Sequence, residues 1–381
     1  MLRPMAAGQI ENEYMRDDQR NEFAEALLAW FRGHARVLPW REDASPYRVW
    51  ISEIMLQQTR VAAVMPYFLR FMEALPDVAA LAAVDDDKLM KLWEGLGYYS
   101  RARNLKKAAG VIMDQYHGVI PAEYSELCRL PGIGPYTAGA ISSIAYGQEE
   151  TAVDGNVLRV FSRLNAVDGV VTEPPVREKI TKSVRECLPK AQSGVYNQSL
   201  MELGALICLP NGEPKCGECP VRTFCKAYEQ GNMLEYPKKP AKKARTIERM
   251  TVLILQDENY LAIRRRPETG LLAGLYEFPS LSGHCSEEEV LASVRSMGFA
   301  PIHIRRLPEA KHIFTHKEWH MIGYAVRVDE FAEREAVSAK QNLIFVEPEK
   351  TEREFPIPAA FEAYAEYYHI RLGNSRFVKG E

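Results

Sequence analysis

Two carboxylates in the sequence stand in surroundings that would push their pKa values in opposite directions. Glu53 lies in VWISEIMLQQT, where Trp50, Ile54 and Met55 surround it on a predicted helix, and a carboxyl group desolvated among such neighbours holds its proton near neutral pH. Asp154 in AVDGNVLRV stands where the N-cap of the next helix belongs, and a helix N-terminus favours the ionised form. An acid and an anion of this kind cleave glycosidic bonds, because the acid protonates the leaving group while the anion stabilises an oxocarbenium ion. Taken singly, Glu53 can also be a surface residue of a half-buried helix and Asp154 an ordinary cap.

Four of the seven cysteines lie within 18 residues, in CLPNGEPKCGECPVRTFC. They are Cys208, Cys216, Cys219 and Cys225, in a C-x7-C-x2-C-x5-C run. An odd number of cysteines without a secretory signal argues against a disulfide framework. Structural zinc usually takes two C-x-x-C pairs that are well apart, whereas a compact run from one loop suits an iron-sulfur cluster, which needs four thiolates around one small cube. The run therefore favours an iron-sulfur cluster over zinc, and a metal-free loop is the least favoured interpretation.

The segment LPGIGPYTAG predicts a glycine hairpin that leads into a helix. Pro135 suits the first position of that helix, which should run to a stop at Gly147. Gly132 and Gly134 leave the amide groups of a tight turn uncovered at the helix N-terminus, which makes a seat for an anion. A nucleotide phosphate loop is excluded because no Lys-Ser or Lys-Thr pair follows the glycines, and the dinucleotide fingerprint fails too. With a short helix in YSELCR before it, the hairpin suits a DNA backbone phosphate; an ordinary helix-helix connection is the alternative.

The composition describes a globular protein with more than one domain. The 381 residues are 46% hydrophobic, which is enough for large cores, and the length predicts two or three domains. The net charge of -3 argues against a nucleic-acid partner, but the basic clusters KKPAKKAR and IRRRP keep one open. No apolar run is long enough to cross a membrane, and the N-terminus lacks the apolar core of a signal peptide. We therefore expect a cytoplasmic protein with no membrane partner.

The periodicity of the apolar residues divides the chain into two parts. Up to about residue 230 it is helical, as in SPYRVWISEIMLQQT, where Ser45 is the predicted cap and Pro46 begins the first turn. Beyond a Pro- and Lys-rich stretch the pattern changes towards period 2: TVLIL and YLAIRR flank a hairpin turn, WHMIGYAVRV is a strand, and SEEEVLASVRSMG is a helix with a capping box. We predict a multi-domain fold with an all-α domain over 1–232 that includes the cysteine loop (208–225), a linker over 233–248, and an α+β domain over 249–381.

Three motifs, in this order and spacing, resemble the helix-hairpin-helix DNA glycosylases of the endonuclease III class: the hairpin LPGIGPYTAG, the following VDGNVLRV and the four-cysteine loop. The segments PWREDASPYRVWISEIMLQQTRV and GLGYYSRARNL, with the second domain, narrow the resemblance to the MutY family of adenine DNA glycosylases, over nearly the whole chain from about Phe23. The resemblance implies a monofunctional enzyme that removes adenine mispaired with 8-oxoguanine or guanine from double-stranded DNA. It further implies an oxocarbenium-like transition state and a 4Fe-4S cluster on the four cysteines. We expect a monomer associated with the nucleoid.

The family pattern, carried over residue by residue, assigns the catalytic roles. Glu53 matches the acid that protonates N7 of the adenine, Asp154 matches the anion that stabilises C1′, and Asn156 is its hydrogen-bonding neighbour. Tyr136 stands where a bifunctional member carries a catalytic lysine, and it is expected to line the pocket. Without that lysine no amine can form a Schiff base with the sugar, so strand cleavage by β-elimination is not expected.

A second set of matched positions is expected to contact DNA, since an adenine must leave the base stack to reach such a pocket. The resemblance implies that Gln58 and Tyr98 wedge into the duplex and that Arg41 lies near the extruded base. The alternative for Tyr98 is a packed core aromatic. The other positions expected to contact DNA are Thr59, Gly132 and Gly134.

The segment RRRPETGLLAGLYEFPSL resembles the Nudix-like domain of the same family. A working Nudix hydrolase needs an R-E-x-x-E-E box to hold magnesium, and EEVLASVRSMGF lacks it, so pyrophosphate hydrolysis is not expected. The resemblance implies instead that Phe314, Thr315 and His316, in a polar loop AKHIFTHKEWHM, reach the base opposite the adenine. The alternative is that they only close a turn. This chain departs from the family by seven rather than six residues in the first cysteine interval, and by Thr315 in place of the usual serine.

Three rival functions compete with this interpretation. A relative of the same class could act on thymine mismatches or oxidised pyrimidines, but the second domain argues against it. A catalytically silent DNA-binding protein would not need the carboxylate pair. A nucleotide pyrophosphatase is disfavoured by the missing Nudix box.

Overall fold

The computed structural model describes residues 15, 17–241, 244–329 and 341–373, which form two compact units. The first unit takes the described residues up to Gln57, together with Asp77–Ala79 and Lys107–Ala241. The second takes Gln58–Pro76, Ala80–Lys106 and the described residues from 244 onward. Parts of the N-terminal segment, the basic cluster and the predicted second domain lie outside the described residues: 1–14, 16, 242–243, 330–340 and 374–381. The predicted domain boundaries stay a prediction.

Helices make up the chain before residue 241, and they begin at the signals in the sequence. Pro46 is the first residue of its helix and Ser45 is the N-cap, although the Ser45 side chain makes no capping hydrogen bond. Pro135 likewise begins a helix, which widens into a π-helical turn over Ile141–Ala145 and ends before Gly147, as predicted. The α-helices among these described residues are α1 (Asp17–His34), α2 (Pro39–Glu42), α3 (Pro46–Leu56), α4 (Val61–Ala74), α5 (Val78–Ala83), α6 (Asp86–Trp93), α7 (Ser100–Tyr116), α8 (Tyr124–Leu127), α9 (Pro135–Ala140), α10 (Gly155–Leu164), α11 (Pro174–Glu186), α12 (Ser193–Leu206) and α13 (Lys226–Glu229).

The helices α10 and α12 pack against each other at the centre of the first unit. Phe161 of α10 and Leu200 of α12 are fully buried in the same apolar cluster. Burial of one such side chain contributes about 1.5 to 3 kcal/mol, so this packing fixes the two helices firmly. A Cβ at residue 204 of α12 would lie 2.5 Å from the Cβ of Asn156. Glycine at this position therefore lets α12 approach α10 at the point where Asn156 stands.

A mixed sheet forms the core of the second unit. The strands are β1 (Thr246–Asp257), β2 (Tyr260–Arg265), β3 (Tyr276–Glu277), β4 (Ser280–Ser282), β5 (Pro301–Ile313), β6 (Lys317–Val328) and β7 (Ile344–Val346), and the α-helices described after residue 244 are α14 (Glu287–Ser296), α15 (Pro348–Glu354) and α16 (Glu362–Ala365). The strand order is β3-β2-β1-β6-β5, while β4 pairs with β1 and β7 with β2. The strand β1 runs parallel to β6 and antiparallel to β2, which confirms the predicted hairpin.

Alternating side chains of β1 fill two apolar cores, one on each face of the sheet. Val252 and Ile254 point to a core that contains Trp319 and Phe361. Leu253 and Leu255 point to the opposite core, together with residues of α14. The predicted capping box of α14, between Ser286 and Glu289, is present.

Two strands of this unit extend beyond the segments predicted for them. The strand β1 begins at Thr246, inside the predicted linker. The strand β5 continues to Ile313, so most of the predicted polar loop is strand, and only Phe314, Thr315 and His316 form the hairpin tip before β6. The reason is that β5 is an edge strand, whose charged and exposed side chains hide the period-2 pattern from which a strand is predicted.

None of the described helices is long and apolar enough to span a membrane.

Candidate active site

Glu53 is the buried acid of the first unit. It lies on α3 with only 6% of its surface exposed, and the Tyr136 hydroxyl donates a hydrogen bond to Glu53 Oε2. The pKa of Glu53 is raised to about 7: burial is the largest cause, the Tyr136 hydrogen bond opposes it, the charge of Asp154 adds to it, and the charge of Arg41 lowers it. The predicted direction is therefore confirmed, and Glu53 can hold or release a proton near neutral pH.

Asp154 is the N-cap of α10, as predicted. Its Oδ1 accepts a hydrogen bond from the backbone N–H of Val157 at 2.8 Å, and its Oδ2 accepts one from Asn156 Nδ2 at 2.7 Å. The expectation that the pKa of Asp154 would shift in the opposite direction to that of Glu53 is wrong: burial raises the pKa of Asp154, and these hydrogen bonds only partly oppose the effect. Both oxygens nevertheless accept from donors, which is the arrangement that suits a carboxylate.

Tyr136 brings the two carboxylates into one site. It lies on α9, one residue after the hairpin, and its pKa is raised by burial first and then by the charges of Glu53 and Asp154. The hydroxyl therefore stays protonated and acts as a donor to Glu53. Helices α3, α9 and α10 thus place an acid, a hydroxyl and a carboxylate within electrostatic reach of one another.

Asn156 connects Asp154 to the cysteine loop. Arg159 donates from Nη2 to Asn156 Oδ1 at 2.8 Å and from Nε to the carbonyl oxygen of Cys208 at 2.7 Å. Arg159 Nη2 also donates to the carbonyl oxygen of Gly204 at 2.8 Å. The Asn156 side chain is therefore held with its amide nitrogen towards Asp154.

Arg41 is held by a buried glutamate that sequence patterns did not reveal. Glu202 of α12 is fully buried, and it accepts from Arg41 Nη2 at 2.7 Å and from Arg36 Nε at 2.7 Å. Although burial acts to raise the pKa of Glu202, the hydrogen bonds from Arg36 and Arg41 lower it to about 2. The signal available in the sequence is one acidic residue inside the apolar run SLMELGALI, but its partners lie 161 and 166 positions away.

The predicted hairpin lies between α8 and α9. Gly132 has a φ of 77°, in the left-handed region that favours glycine, and Gly134 is the N-cap of α9 in extended conformation. This confirms the predicted helix, hairpin and helix; the phosphate contact stays a prediction.

The other predicted DNA-contacting residues lie in turns of the second unit. Gln58 and Thr59 are in the turn between α3 and α4, and Tyr98 is in the loop between α6 and α7. Gln58 and Tyr98 adopt left-handed φ values of 59° and 47°, which a residue other than glycine seldom takes. Tyr98 is 47% exposed, which argues against the packed core aromatic.

The hairpin tip contacts Tyr98. The Tyr98 hydroxyl lies 2.7 Å from Thr315 Oγ1, and Thr315 and His316 are exposed. The ring of Phe314 packs edge-on against Trp319, with 4.9 Å between the ring centroids. The structure therefore brings Tyr98 and the predicted opposite-base residues together.

The four clustered cysteines line one cavity, together with apolar side chains and Arg163. Arg163 Nη1 donates to Cys208 Sγ at 3.1 Å. Burial raises the pKa of Cys219 to about 12 and that of Cys225 to about 11. Burial therefore disfavours the ionised form of these two thiols, and a bound cationic centre would favour it.

Among the described residues, no group of three or more His, Cys, Asp or Glu side chains could hold a metal ion. Zinc would need its sulfur ligands at about 2.3 Å, whereas an iron-sulfur cube keeps its four thiolates on the corners of a larger body. In the longer first interval, Lys215 N–H donates to the carbonyl oxygen of Ile207 at 2.9 Å, which closes a loop whose residues 210–213 are exposed.

Two different protein families match two successive parts of the chain. Residues 51–186 match the family "HhH-GPD superfamily base excision DNA repair protein", and residues 250–367 match the family "NUDIX domain". Among solved structures, a complex titled "Structure of a non-covalent Endonuclease III-DNA Complex" is similar with a TM-score of 0.50 and 25% identity, covering 57% of this chain and 99% of that one. A thermostable thymine-DNA glycosylase is similar with a TM-score of 0.50 and 27% identity, covering 56% of this chain and 98% of that one.

Curated relatives match over both parts. The human adenine DNA glycosylase is 33% identical over 354 residues, covering 77% of this chain and 65% of the relative. The adenine DNA glycosylase of Buchnera aphidicola (subsp. Baizongia pistaciae) is 34% identical over 296 residues, covering 77% of this chain and 83% of the relative. Identity at this level across most of a whole relative, with both family matches in order, shows that the chain belongs to the adenine DNA glycosylase family.

Proposed function

We propose that the protein removes adenine mispaired with 8-oxoguanine or guanine from double-stranded DNA, as a monomeric and monofunctional glycosylase of the cytoplasm. The observation that carries this proposal is the buried acid Glu53, joined by Tyr136 to the neighbourhood of the carboxylate Asp154. An acid and a carboxylate in one desolvated pocket supply the two roles that glycosidic cleavage requires.

The chemistry follows from the protonation of each group. Glu53, with a pKa of about 7, gives its proton to N7 of the extruded adenine, and the electron pair of the C1′–N9 bond leaves with the base. The Asp154 carboxylate stabilises the positive charge that develops at C1′, and Asn156 holds it by the 2.7 Å hydrogen bond. Water then adds to C1′ and returns a proton to the site. The products are free adenine and an abasic site.

Arg41, which is held by the buried Glu202, lies within electrostatic reach of this acid. Because Arg41 lowers the pKa of Glu53, its charge reaches the catalytic carboxyl group. We propose that the extruded base lies beside Arg41. The ion pair with Glu202 fixes the position of the Arg41 side chain.

The first expected result is that the abasic product stays uncleaved until alkali is added. Tyr136 offers a hydroxyl where a lyase needs an amine, so no Schiff base with the sugar can form. We would measure released adenine and strand breaks, with and without alkali, on duplexes carrying adenine opposite 8-oxoguanine, adenine opposite guanine, and thymine opposite guanine. Release of thymine instead of adenine would overturn the substrate, and a borohydride-trapped adduct formed as fast as base release would overturn the monofunctional mechanism.

A 4Fe-4S cluster is our proposal for the cysteine cavity. Cys208, Cys216, Cys219 and Cys225 would hold it, and Arg163 would donate a hydrogen bond to the sulfur of Cys208. When bound, the cluster would tie the 208–225 loop together and stabilise the thiolate form of its cysteine ligands. Since Arg159 links Cys208 to Asn156, an ordered loop would also keep Asn156 in place.

The hairpin tip is our proposed reader of the base opposite the adenine. 8-Oxoguanine carries an N7 hydrogen and an 8-oxo group, so its N7 is a donor where guanine has an acceptor. The Thr315 hydroxyl can give or take a hydrogen bond as serine does, and its contact with Tyr98 holds it beside the residue proposed to enter the duplex.

Replacement of Phe314, Thr315 and His316 together by alanine should narrow the preference for 8-oxoguanine over guanine by up to about tenfold. The reason is that one lost hydrogen bond corresponds to about 0.5 to 1.5 kcal/mol. The measurement is single-turnover excision of adenine opposite each base, and Arg306→Ala on the exposed face of the same β5–β6 hairpin is the control. An unchanged ratio in the triple variant would mean that the tip is structural and that the lesion is read elsewhere.

A further inference from the structure

The loop that carries Tyr98 begins at a buried ion pair. Lys91 of α6 and Glu94, the residue that ends this helix, have side chains only 6% and 0% exposed, and Lys91 Nζ lies 3.0 Å from Glu94 Oε2. Neither side chain takes part in the site described above. Burying two charges costs free energy unless further hydrogen bonds satisfy both groups, so their other partners matter.

Both charges find those partners in the C-terminal residues. Lys91 Nζ donates to the carbonyl oxygen of Phe355 at 3.0 Å. The Glu94 carboxylate accepts from the backbone N–H of Ile357 at 2.9 Å and from the backbone N–H of Gly373 at 3.2 Å. Side chains just before Tyr98 are thus bonded to the backbone of residues 355–373, all within the second unit.

Close backbone packing accompanies these hydrogen bonds. A Cβ at residue 373 would lie 3.2 Å from the carbonyl oxygen of Glu94 and 3.3 Å from the Cα of Gly95. Gly95 has a φ of 100°, and Tyr67 donates to the carbonyl oxygen of Glu94 at 2.8 Å. The C-terminal backbone therefore lies against the first residues of the loop.

The conformation of Tyr98 needs such support. Its left-handed φ of 47° is unfavourable for a residue with a side chain and persists only where the surroundings impose it. Trp93 Nε1 and Arg101 Nη2 both donate to the carbonyl oxygen of Gly97 at 3.1 Å. Residues 95–99 form the wedge loop. Residues 355–373 bond to Glu94, just before its first residue, and Thr315 contacts the hydroxyl of Tyr98.

We propose that Glu94, paired with Lys91, is a positioning residue that anchors the wedge loop on residues 355–373 and so sets how Tyr98 enters the duplex. The inference rests on the proposed function, in which Tyr98 is the wedge. It adds that residues 355–373 hold the wedge loop in place, a role separate from that of the hairpin tip, which is proposed to read the opposite base.

The test is a double-mutant cycle in the full-length chain. The substrate is a duplex with 2-aminopurine next to the base opposite the adenine; its fluorescence rises when the neighbouring stack is opened, whether or not adenine is released. Glu94→Gln should reduce both this rise and single-turnover excision by about tenfold or more, the size expected for a lost hydrogen bond to a charged group. In a Tyr98→Ala background the same change should cost less than about twofold, because the two residues act as one unit. If Glu94→Gln costs as much in the Tyr98→Ala background as in the wild type, the proposal is wrong. A normal fluorescence rise in Glu94→Gln would overturn it as well.

Two further variants separate positioning from general damage to the fold. Glu277→Gln is the matched control, since Glu277 is a buried carboxylate of the same unit, held by Arg264 at 2.8 Å and by Arg266. It should leave the fluorescence rise unchanged. If Glu94→Gln does not fold, Gly373→Ala carries the test, because it sets a methyl group against Glu94 and Gly95 at a left-handed φ of 56° without removing a charge. It should reduce the fluorescence rise in the same direction, and a normal rise would overturn the proposal. A wild-type protein that opens the stack but releases no adenine would refute the proposed function and leave this inference standing.

Discussion

Replacement of Glu53 by glutamine should slow single-turnover excision of adenine by about 10²- to 10⁴-fold, the range that a positioned general acid supplies. Glutamine keeps the shape of the side chain and its contact with Tyr136 but has no proton to give to the adenine. Binding to the mispaired duplex should change by no more than about threefold, because the loss falls on the chemical step. A variant that excises adenine at nearly the wild-type rate would remove Glu53 from the mechanism.

The pH dependence gives an independent test of the same residue. Burial raises the pKa of Glu53 to about 7, and a general acid works only in its protonated form. Excision by the wild type should therefore fall as the pH rises through about 7, and the residual activity of Glu53→Gln should lack this fall.

Two companion variants make the assignment sharper. The hydrogen bond from Tyr136 lowers the pKa of Glu53, so Tyr136→Phe should move the fall in excision to higher pH. Glu42→Gln, at an exposed acidic residue of α2, should leave both the rate and the pH profile as they are. A fall that stays at the same pH in Tyr136→Phe would assign the titration to another group.

The local parts of this site could be predicted from the sequence. Asp154 is a cap because of the residues next to it, and the burial of Glu53 follows from its apolar neighbours on the same helix. Both depend on a few adjacent positions, where helix signals are strong. The raised pKa of Asp154 could not be predicted in this way, since burial by the rest of the unit outweighs the cap.

The supporting ion pairs depend on contacts that no local pattern contains. Glu202 meets Arg41 across 161 positions, and Glu94 meets Ile357 across 263. Lys91 and Glu94 lie three positions apart in DDKLMKLWEG, at the end of α6. From the sequence alone, such a pair is expected to be a solvated ion pair on a helix surface. In the folded protein the pair is buried, and both side chains are bonded to the backbone of residues 355–373.

Replacement of Asp154 by asparagine should lower excision by about 10³-fold, close to the loss expected when a charge that stabilises the transition state is removed. Asparagine can still accept the hydrogen bond from Val157 N–H with its oxygen, so α10 should keep its cap. The new amide nitrogen would face Asn156 Nδ2, and Asn156 cannot simply turn over, because its own oxygen accepts from Arg159. The variant therefore loses the negative charge and the hydrogen bond to Asn156 together.

Asn156→Ala separates these two losses. It removes the donor but leaves the charge of Asp154, so it should cost only about 10- to 100-fold, the value of one hydrogen bond to a charged group. Single-turnover excision on adenine opposite 8-oxoguanine measures both variants, with mispair binding and thermal unfolding as checks on the fold. If the charge at C1′ controls the barrier, Asp154→Asn must be clearly the slower of the two; equal losses would mean that Asp154 acts mainly by holding the helix and its neighbours, and that the charge developing on the sugar is stabilised by another group.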